Sequence, residues 1–335
     1  MSDRPLLPLD TRPALFLPEL GLHLDAPRKQ AFSFVSHAHA DHFARHERIL
    51  CSPETAHLLR RRYQVAADRL HPLAYGEPWL HQDHEIRLLP AGHIFGSAML
   101  HLTRISDGSS LLYTGDFKRR PSLTCQPAQL QPADFLIMET TFGLPRYRFP
   151  PRQELTSRLL SFVKDAFAEN RTPVVLAYSL GKAQEAHAIL SAADLPTVAA
   201  KSVCEMSQAC HEAGLTLPPP PALADQVPPG HTLIAPPQIR RQKRFAALGP
   251  TRTAMLSGWG LDASARYRYR CDAVIPLSDH ADYDELIQTV QSVNPQRILT
   301  VHGSTRAFAR DLRQHGYEAW SLDGNDQLEF PFQTL

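Results

Sequence analysis

Seven consecutive residues, Ser36-His-Ala-His-Ala-Asp-His42, follow directly on the apolar run Phe32-Ser-Phe-Val35, and no other stretch of the chain constrains its fold as tightly. Side chains two residues apart on an extended segment project to the same side, so His37 and His39 can grip one ion. Asp41 and His42, turning into the next helical segment, offer a carboxylate and a third imidazole to a neighbouring ion. Imidazole suits zinc-like cations, and carboxylates offset concentrated positive charge. The pattern therefore asks for a rigid strand end that holds two adjacent metals. A histidine-rich surface loop is the competing reading, and four donors at this spacing directly after a strand argue against it.

Similar short apolar runs recur through the first 140 residues: Ile86–Leu89, Ala98–Leu102, Ser110–Tyr113 and Phe135–Met138. These are predicted strands. Three of them lead to polar groups of their own, since Leu89 runs on to Gly92-His93, Tyr113 to Gly115-Asp116 and Met138 to Glu139. Near the C-terminus Arg297–Val301 reads as another strand, ending on His302-Gly303. Loops at strand ends are where a rigid sheet presents chemistry. Each of His93, Asp116 and His302 alone fits an ordinary turn residue, yet together they complete a site. Asp116 suits a bridging role, because one carboxylate can place an oxygen on each of two metals about 3.5–4 Å apart.

The texture changes at Gly143 and changes back after Pro276. Between them, helical spacing over 152–169, a buried strand at Thr172–Ala177 and a helix at Leu180–Leu190 give an α/β rhythm. Prolines at 218–221, 228–229 and 236–237 mark loops. After Pro276 the sequence predicts a helix over Asp282–Val293. The expected organisation is a first part at 1–142, an insert at 143–276 and a returning part at 277–335. Charge follows the same division: the insert carries 16 Lys+Arg against 10 Asp+Glu, and the remainder 19 against 24. Such asymmetry suggests that one region faces an anion while the other holds cations. The five cysteines form no CxxC pair, which makes a disulfide framework or thiolate metal site improbable. The first ten residues, MSDRPLLPLD, lack the basic and apolar pattern of a secretory signal, and no apolar run reaches membrane length. A cytoplasmic protein without membrane contact is expected.

The order Asp25, His37-x-His39-x-Asp41-His42, His93, Asp116 resembles the metallo-β-lactamase superfamily. Glu139-Thr-Thr-Phe-Gly143, Ser278-Asp-His280-Ala-Asp282 and Val301-His302-Gly303 are similar to motifs A, B and C of its nucleic-acid-processing branch, the β-CASP family. Ala177-Tyr-Ser-Leu-Gly-Lys-Ala-Gln-Glu185 is similar to the segment that opens the β-CASP insert. The resemblance covers nearly the whole chain and implies an αββα metallo-β-lactamase sandwich carrying an inserted α/β β-CASP domain. It implies that His37, His39 and His93 hold the first of two divalent metals, that Asp41, His42 and His302 hold the second, and that Asp116 bridges them. Zinc is the ligand-based expectation, with manganese also accepted by such a set. Asp25 would support the ligands from behind, although an Asp in a turn before Pro27 explains it equally well.

Phosphodiester hydrolysis needs a strong nucleophile and neutralisation of phosphate charge, and two metals supply both. His280 would be the general acid, with Glu139 orienting it and keeping it protonated; Asp41 also counts among the catalytic residues. Ser179, Gly181 and Lys182 would meet a phosphate at a helix N-terminus. Arg240–Arg244 and the alternation Arg266-Tyr-Arg-Tyr-Arg270 suit nucleic acid, with a solvent-edged strand as the alternative reading of the latter. Gly92–Met99 and Met138–Gly143 look most like the bacterial ligase-associated DNA exonucleases, which implies DNA end processing in repair and a functional association with a DNA ligase. His302 dissents, because a histidine in motif C is more typical of the family's RNA-processing members. A ribonuclease, a thioester or lactam hydrolase and a non-catalytic scaffold stay open as alternatives.

Overall fold

The computed structural model describes residues 7–12 and 14–322. The first six residues, part of the N-terminal segment considered above, lie outside the described residues. Two compact units emerge: Met1–Pro121 with Gln126–Arg148 and His280–Leu335, and Ser122–Cys125 with Phe149–Asp279.

Strict alternation along the strands builds the first unit. In the strand Phe135–Thr140, Phe135 and Ile137 face one apolar cluster while Leu136 and Met138 face another. The neighbouring strand Ser110–Tyr113 divides likewise, Leu111 and Tyr113 from Leu112, and so does Arg297–Gly303, Leu299 and Val301 from Ile298. A sheet apolar on both faces must be covered twice. One face packs on a second sheet through Leu24, Phe34 and Leu50, and the other on the helices Tyr283–Val293 and Thr305–Gln314 through Leu286, Val290, Phe308 and Leu312. The second sheet has the order Phe16–Leu17, Leu22–Leu24, Phe32–Phe34, Arg48–Cys51, Leu70–Pro72, and the helix Pro53–Tyr63 packs on its last strand. The result is the αββα metallo-β-lactamase sandwich.

The larger sheet runs Glu318–Ser321, Arg297–Gly303, Phe135–Thr140, Ser110–Tyr113, Ala98–Arg104, His84–Pro90, Trp79–His81. Its first four strands are parallel; Ala98–Arg104 is antiparallel to both neighbours, so His84–Pro90 points the same way as Ser110–Tyr113. Consequently Pro90, Tyr113, Thr140 and Gly303 all end at one edge, and the loops with His93, Asp116, Glu139 and His302 share it.

The second unit is a parallel sheet of order Thr197–Ala199, Thr232–Ala235, Thr172–Leu176, Thr251–Leu256, Ala273–Ile275. The helices Arg152–Ala168, Lys182–Ser191 and Lys201–Glu212 pack on Val175, Ile234, Ala254 and Ile275. Val174, Leu176, Leu233 and Met255 face the other side and are covered by Ile239, Phe245 and Tyr269.

Two sequence expectations are corrected here. The second insert helix starts at Lys182 and not at Leu180, because Gly181 at φ 97° breaks helical geometry ahead of it. The Arg266–Arg270 stretch is no strand: Ala265–Tyr269 is a short helix capped by Arg270 in the left-handed region, with Ala265 buried as its anchor. Five residues are too few for the side-chain period to tell the two apart. None of the five cysteines is in a disulfide, and burial pushes the Cys210 thiol up to about 12. Among the described residues no helix is long and apolar enough to cross a membrane.

Candidate metal centre

The histidine cluster begins where Phe32–Phe34 stops, and the turn Ala40–His42 is a single 3-10 turn. His37 is wholly buried, and its Nε2 lies 3.0 Å from His39 Nδ1, which is itself 3.2 Å from His93 Nε2. Ligands about 2.0–2.1 Å from a tetrahedral zinc are about 3.3 Å apart, so these three nitrogens have the spacing of a shared ion. Nitrogen lone pairs brought this close also need a cation or a shared proton between them. A second group, His37, His42 and Asp116, is buried throughout, with His42 Nε2 3.3 Å from Asp116 Oδ2. A third comprises His93, Asp116 and His280, whose Nδ1 is 3.9 Å from the same oxygen. Asp116 Oδ2 thus stands within 3.8 Å of both His37 Nε2 and His93 Nε2 as well as beside His42. The donor set fits divalent metal.

Asp41 and His302 fall outside those three groups. Asp41 extends into solvent, its side chain 81% exposed and its Oδ2 3.9 Å from His42 Nε2. The ring of His302 lies 5.3 Å from that of His42. His302 is the extra residue of a bulge: Glu139 pairs with Val301 and Thr140 with Gly303, while His302 sits at φ 56° with its carbonyl accepting from Thr140 Oγ1 at 2.7 Å. Bulges re-aim a side chain and end a ladder. Gly303 makes this possible, since at φ 75° a Cβ there would lie 2.4 Å from Thr141 Cα. Gly115 does the same for Asp116: a Cβ would sit 2.6 Å from the Ser36 Cβ, separating the aspartate from the histidine loop.

Asp25 is buried, at φ 43°, behind the cluster. Its Oδ1 accepts from Ser36 N at 2.7 Å, and its Oδ2 from Ser36 Oγ at 2.6 Å, His42 Nδ1 at 2.9 Å and Tyr113 Oη at 2.8 Å. Holding His42 by Nδ1 leaves Nε2 directed at Asp116. Burial would lower the His42 pKa, but Asp116 and Asp25 overcome it and raise the ring well above its ordinary value. His37 is held well below its own by burial and then by the other imidazoles, while Asp116, against the effect of burial, is kept well below the usual carboxylate range by His42 and His280. A neutral His37 and an ionised Asp116 are the states metal binding requires.

Glu139, also buried, accepts from His280 Nδ1 at 3.0 Å on each oxygen, from Phe117 N at 2.8 Å, and from Thr141 Oγ1. Ala281 N donates to Phe117 O at 2.6 Å, so one residue ties the Asp116 loop to both Glu139 and the His280 loop. Arg120 adds a third tie, donating to His280 O at 3.1 Å and to Asp282 Oδ2 at 3.0 Å. Tyr113 and Arg120 escaped the sequence reading. Tyr113 looked like a core strand end, and nothing in the sequence pairs Arg120 with residues 160 positions later. One signal was available: Asp282-x-x-Glu285 spells a capping box, and the structure shows one. In the insert, the Gly181 amide donates to Gln184 Oε1 at 2.8 Å, Lys182 Nζ pairs with Asp279, and Ser179 Oγ meets Ser202 Oγ at 2.9 Å. A phosphate there would have to displace these partners.

Residues 266–321 match the family model described as "RMMBL: Zn-dependent metallo-hydrolase RNA specificity domain". A protein of Opitutus terrae named "Probable DNA ligase" is 44% identical over 322 residues, which is 96% of this chain and 31% of that protein. The "DNA cross-link repair protein SNM1" of Arabidopsis thaliana is 27% identical over 86% of this chain and 64% of its own length. The "5' exonuclease Apollo" of Rattus norvegicus is 27% identical over 80% and 50%. Over most of its length the chain is similar to the β-CASP family of the metallo-β-lactamase fold. The matched zinc-dependent hydrolase domain supports use of divalent metal, and the three histidine and aspartate groups could hold it. The chain spans between about a third and two thirds of the length of these relatives.

Proposed function

We propose that this β-CASP chain is a metal-dependent DNA exonuclease that trims ends during repair. The observation that carries the reading is the pairing of His280 with the buried Glu139, set against Asp116 of the imidazole cluster. A thioester or lactam hydrolase has no evident use for it, whereas a departing sugar oxygen needs a proton. Names of the relatives support DNA, repair and the 5′ end. The Opitutus name supports a functional association with a DNA ligase, since ends must be made sealable before they are joined.

In this reading His37, His39 and His93 would hold one ion and Asp41, His42 and His302 a second, with Asp116 shared between them; zinc suits the donors, and manganese could replace it. Bound ions of this kind lower the pKa of an attacking water and neutralise the phosphoryl oxygens. The chain supplies the rest. Glu139 accepts the Nδ1–H hydrogen bond of His280, which leaves the Nε2–H to donate its proton to the leaving oxygen. Phe117 N and Thr141 Oγ1 hold the Glu139 carboxylate still. Asp25 keeps His42 from rotating.

A second reading, a ribonuclease, is favoured by His302 and by the RNA-specificity description of residues 266–321. The deciding experiment strips the purified chain with EDTA and restores zinc, manganese or magnesium. Single- and double-stranded DNA and RNA of one sequence, labelled at the 5′ or 3′ end, are then offered side by side. Metal-dependent loss of DNA from the 5′ end is expected. Rapid loss of RNA with DNA untouched moves the assignment to RNA, and no cleavage of any polynucleotide removes the nuclease reading.

A further inference from the structure

The inserted unit contains a cavity of about 680 Å³ lined chiefly by Arg240, Arg241, Arg268, Arg270 and the Tyr269 ring. It lies where the turn Pro237–Arg241 meets the helix Ala265–Tyr269, on the sheet face not covered by the three long helices. Arg240 is anchored there, donating from Nη1 to the carbonyls of Tyr269 at 2.8 Å and Arg270 at 3.0 Å. Arg268 stacks on the Tyr269 ring at 5.3 Å and reaches one carboxylate, Asp262, at 3.4 Å. Tyr269 is held in turn by its hydroxyl on Ser257 Oγ at 2.9 Å. Arg241 and Arg270 are exposed and form no ion pair among the described residues.

Four guanidinium groups around one cavity against a single carboxylate leave about three positive charges uncompensated. Such an arrangement repels itself unless an anion is present, and guanidinium forks match phosphate oxygens. The volume suits one nucleotide, as ligand cavities run from about 300 to 1,000 Å³. Tyr267, 89% exposed on the same helix, offers a bare aromatic face outside the cavity. A base following the bound phosphate can stack on it.

We propose that this cavity is a phosphate-binding site that takes a phosphodiester of single-stranded nucleic acid, with Tyr267 stacking on an adjoining base. The identity of the strand rests on the nuclease reading; the phosphate chemistry does not. A free nucleotide carries the same phosphate, and the test separates the two sources.

The test uses the full chain in EDTA, so that nothing is cleaved. Fluorescein-labelled dT20 is titrated by anisotropy over a range of NaCl, and dTMP by calorimetry. The variant Arg241→Gln/Arg270→Gln removes two charges that hold no internal bond. Arg60→Gln/Arg310→Gln removes the same charge from exposed positions of the other unit, and circular dichroism checks both folds. The expected result is dT20 affinity reduced by about tenfold in the first variant only, with a salt slope shallower by about 1.4, two phosphate contacts at about 0.7 each. Tyr267→Ala weakens dT20 and leaves dTMP unchanged. Loss of dTMP binding together with unchanged dT20 binding makes a free nucleotide the phosphate source and overturns the strand. Equal binding of both probes to wild type and variant, or no binding to wild type, overturns the site. Arginine-dependent binding of dT20 by a chain that cleaves no polynucleotide under restored metal leaves the site standing and removes the nuclease reading instead.

Discussion

Replacing Asp25 by asparagine tests the centre without touching a proposed ligand. The carboxylate accepts four hydrogen bonds, three of them on Oδ2. An amide has one oxygen, so its NH2 must face either the Ser36 amide or the three donors at His42, Tyr113 and Ser36 Oγ. In the better orientation one bond is lost outright, and the bond to His42 changes from a charged to a neutral acceptor. Charged acceptors contribute about 1.5–3 kcal/mol and neutral ones about 0.5–1.5, so the grip on His42 weakens by about 1–1.5 kcal/mol, and a buried donor left unpaired costs a further 1–3 or so. Only part of this reaches the metal. A loss of about 10–100-fold in affinity is expected, which is about 1.4–2.7 kcal/mol. Competition between the metal-stripped full chain and a chromophoric zinc chelator measures it, with circular dichroism to confirm the fold and Asp25→Ala as a second variant. Unchanged zinc affinity in a folded Asp25→Asn protein would refute the argument that this carboxylate positions His42.

Glu139→Gln should lower kcat by about 10²–10⁴ with little change in KM, and an altered pH–rate profile on the same labelled DNA should accompany it; an unchanged kcat removes Glu139 from proton transfer. Gly303→Ala should destabilise the first unit by about 1–3 kcal/mol, since it forces a side chain against Thr141 at a positive φ, as read by denaturant unfolding against wild type. His46 is buried, and burial lowers its pKa to about 4 from 6.5. Because the unfolded chain then binds the extra proton between those values, stability should rise with pH from about 4 to 6.5 and fall as pH drops through that window, by at most about 3.4 kcal/mol for this group. Urea titrations across the range should show a flatter dependence in His46→Gln, and identical slopes would count against it.

Much of this centre was legible along the chain because its donors sit immediately after strands, where sequence order and spatial order coincide. His37, His39 and His42 are neighbours in both senses, and the apolar run Phe135–Met138 read as the strand that it is. The roles of Tyr113 and Arg120 were hidden for the opposite reason. Their partners, Asp25 and Asp282, lie 88 and 162 positions away, and nothing local in a tyrosine ending an apolar run or an arginine in a basic turn reports what it will touch. The Arg266–Arg270 segment was ambiguous at the same level, and the helix was settled by burial of Ala265 against its own unit.

By itself, then, the sequence determined which donor types exist, where strands end and that a basic α/β unit interrupts the chain, since these depend on spacing and local polarity. Tertiary structure alone decided which donors converge. It brought His37, His42, His93 and His280 around one oxygen of Asp116, left Asp41 and His302 outside those groups, and turned the Ser179–Lys182 donors inward to their own partners. Convergence depends on parallel strands ending at one edge and on Gly115 and Gly303 letting loops approach more closely than any side chain allows. Those are properties of packing, and spacing along a chain does not encode them.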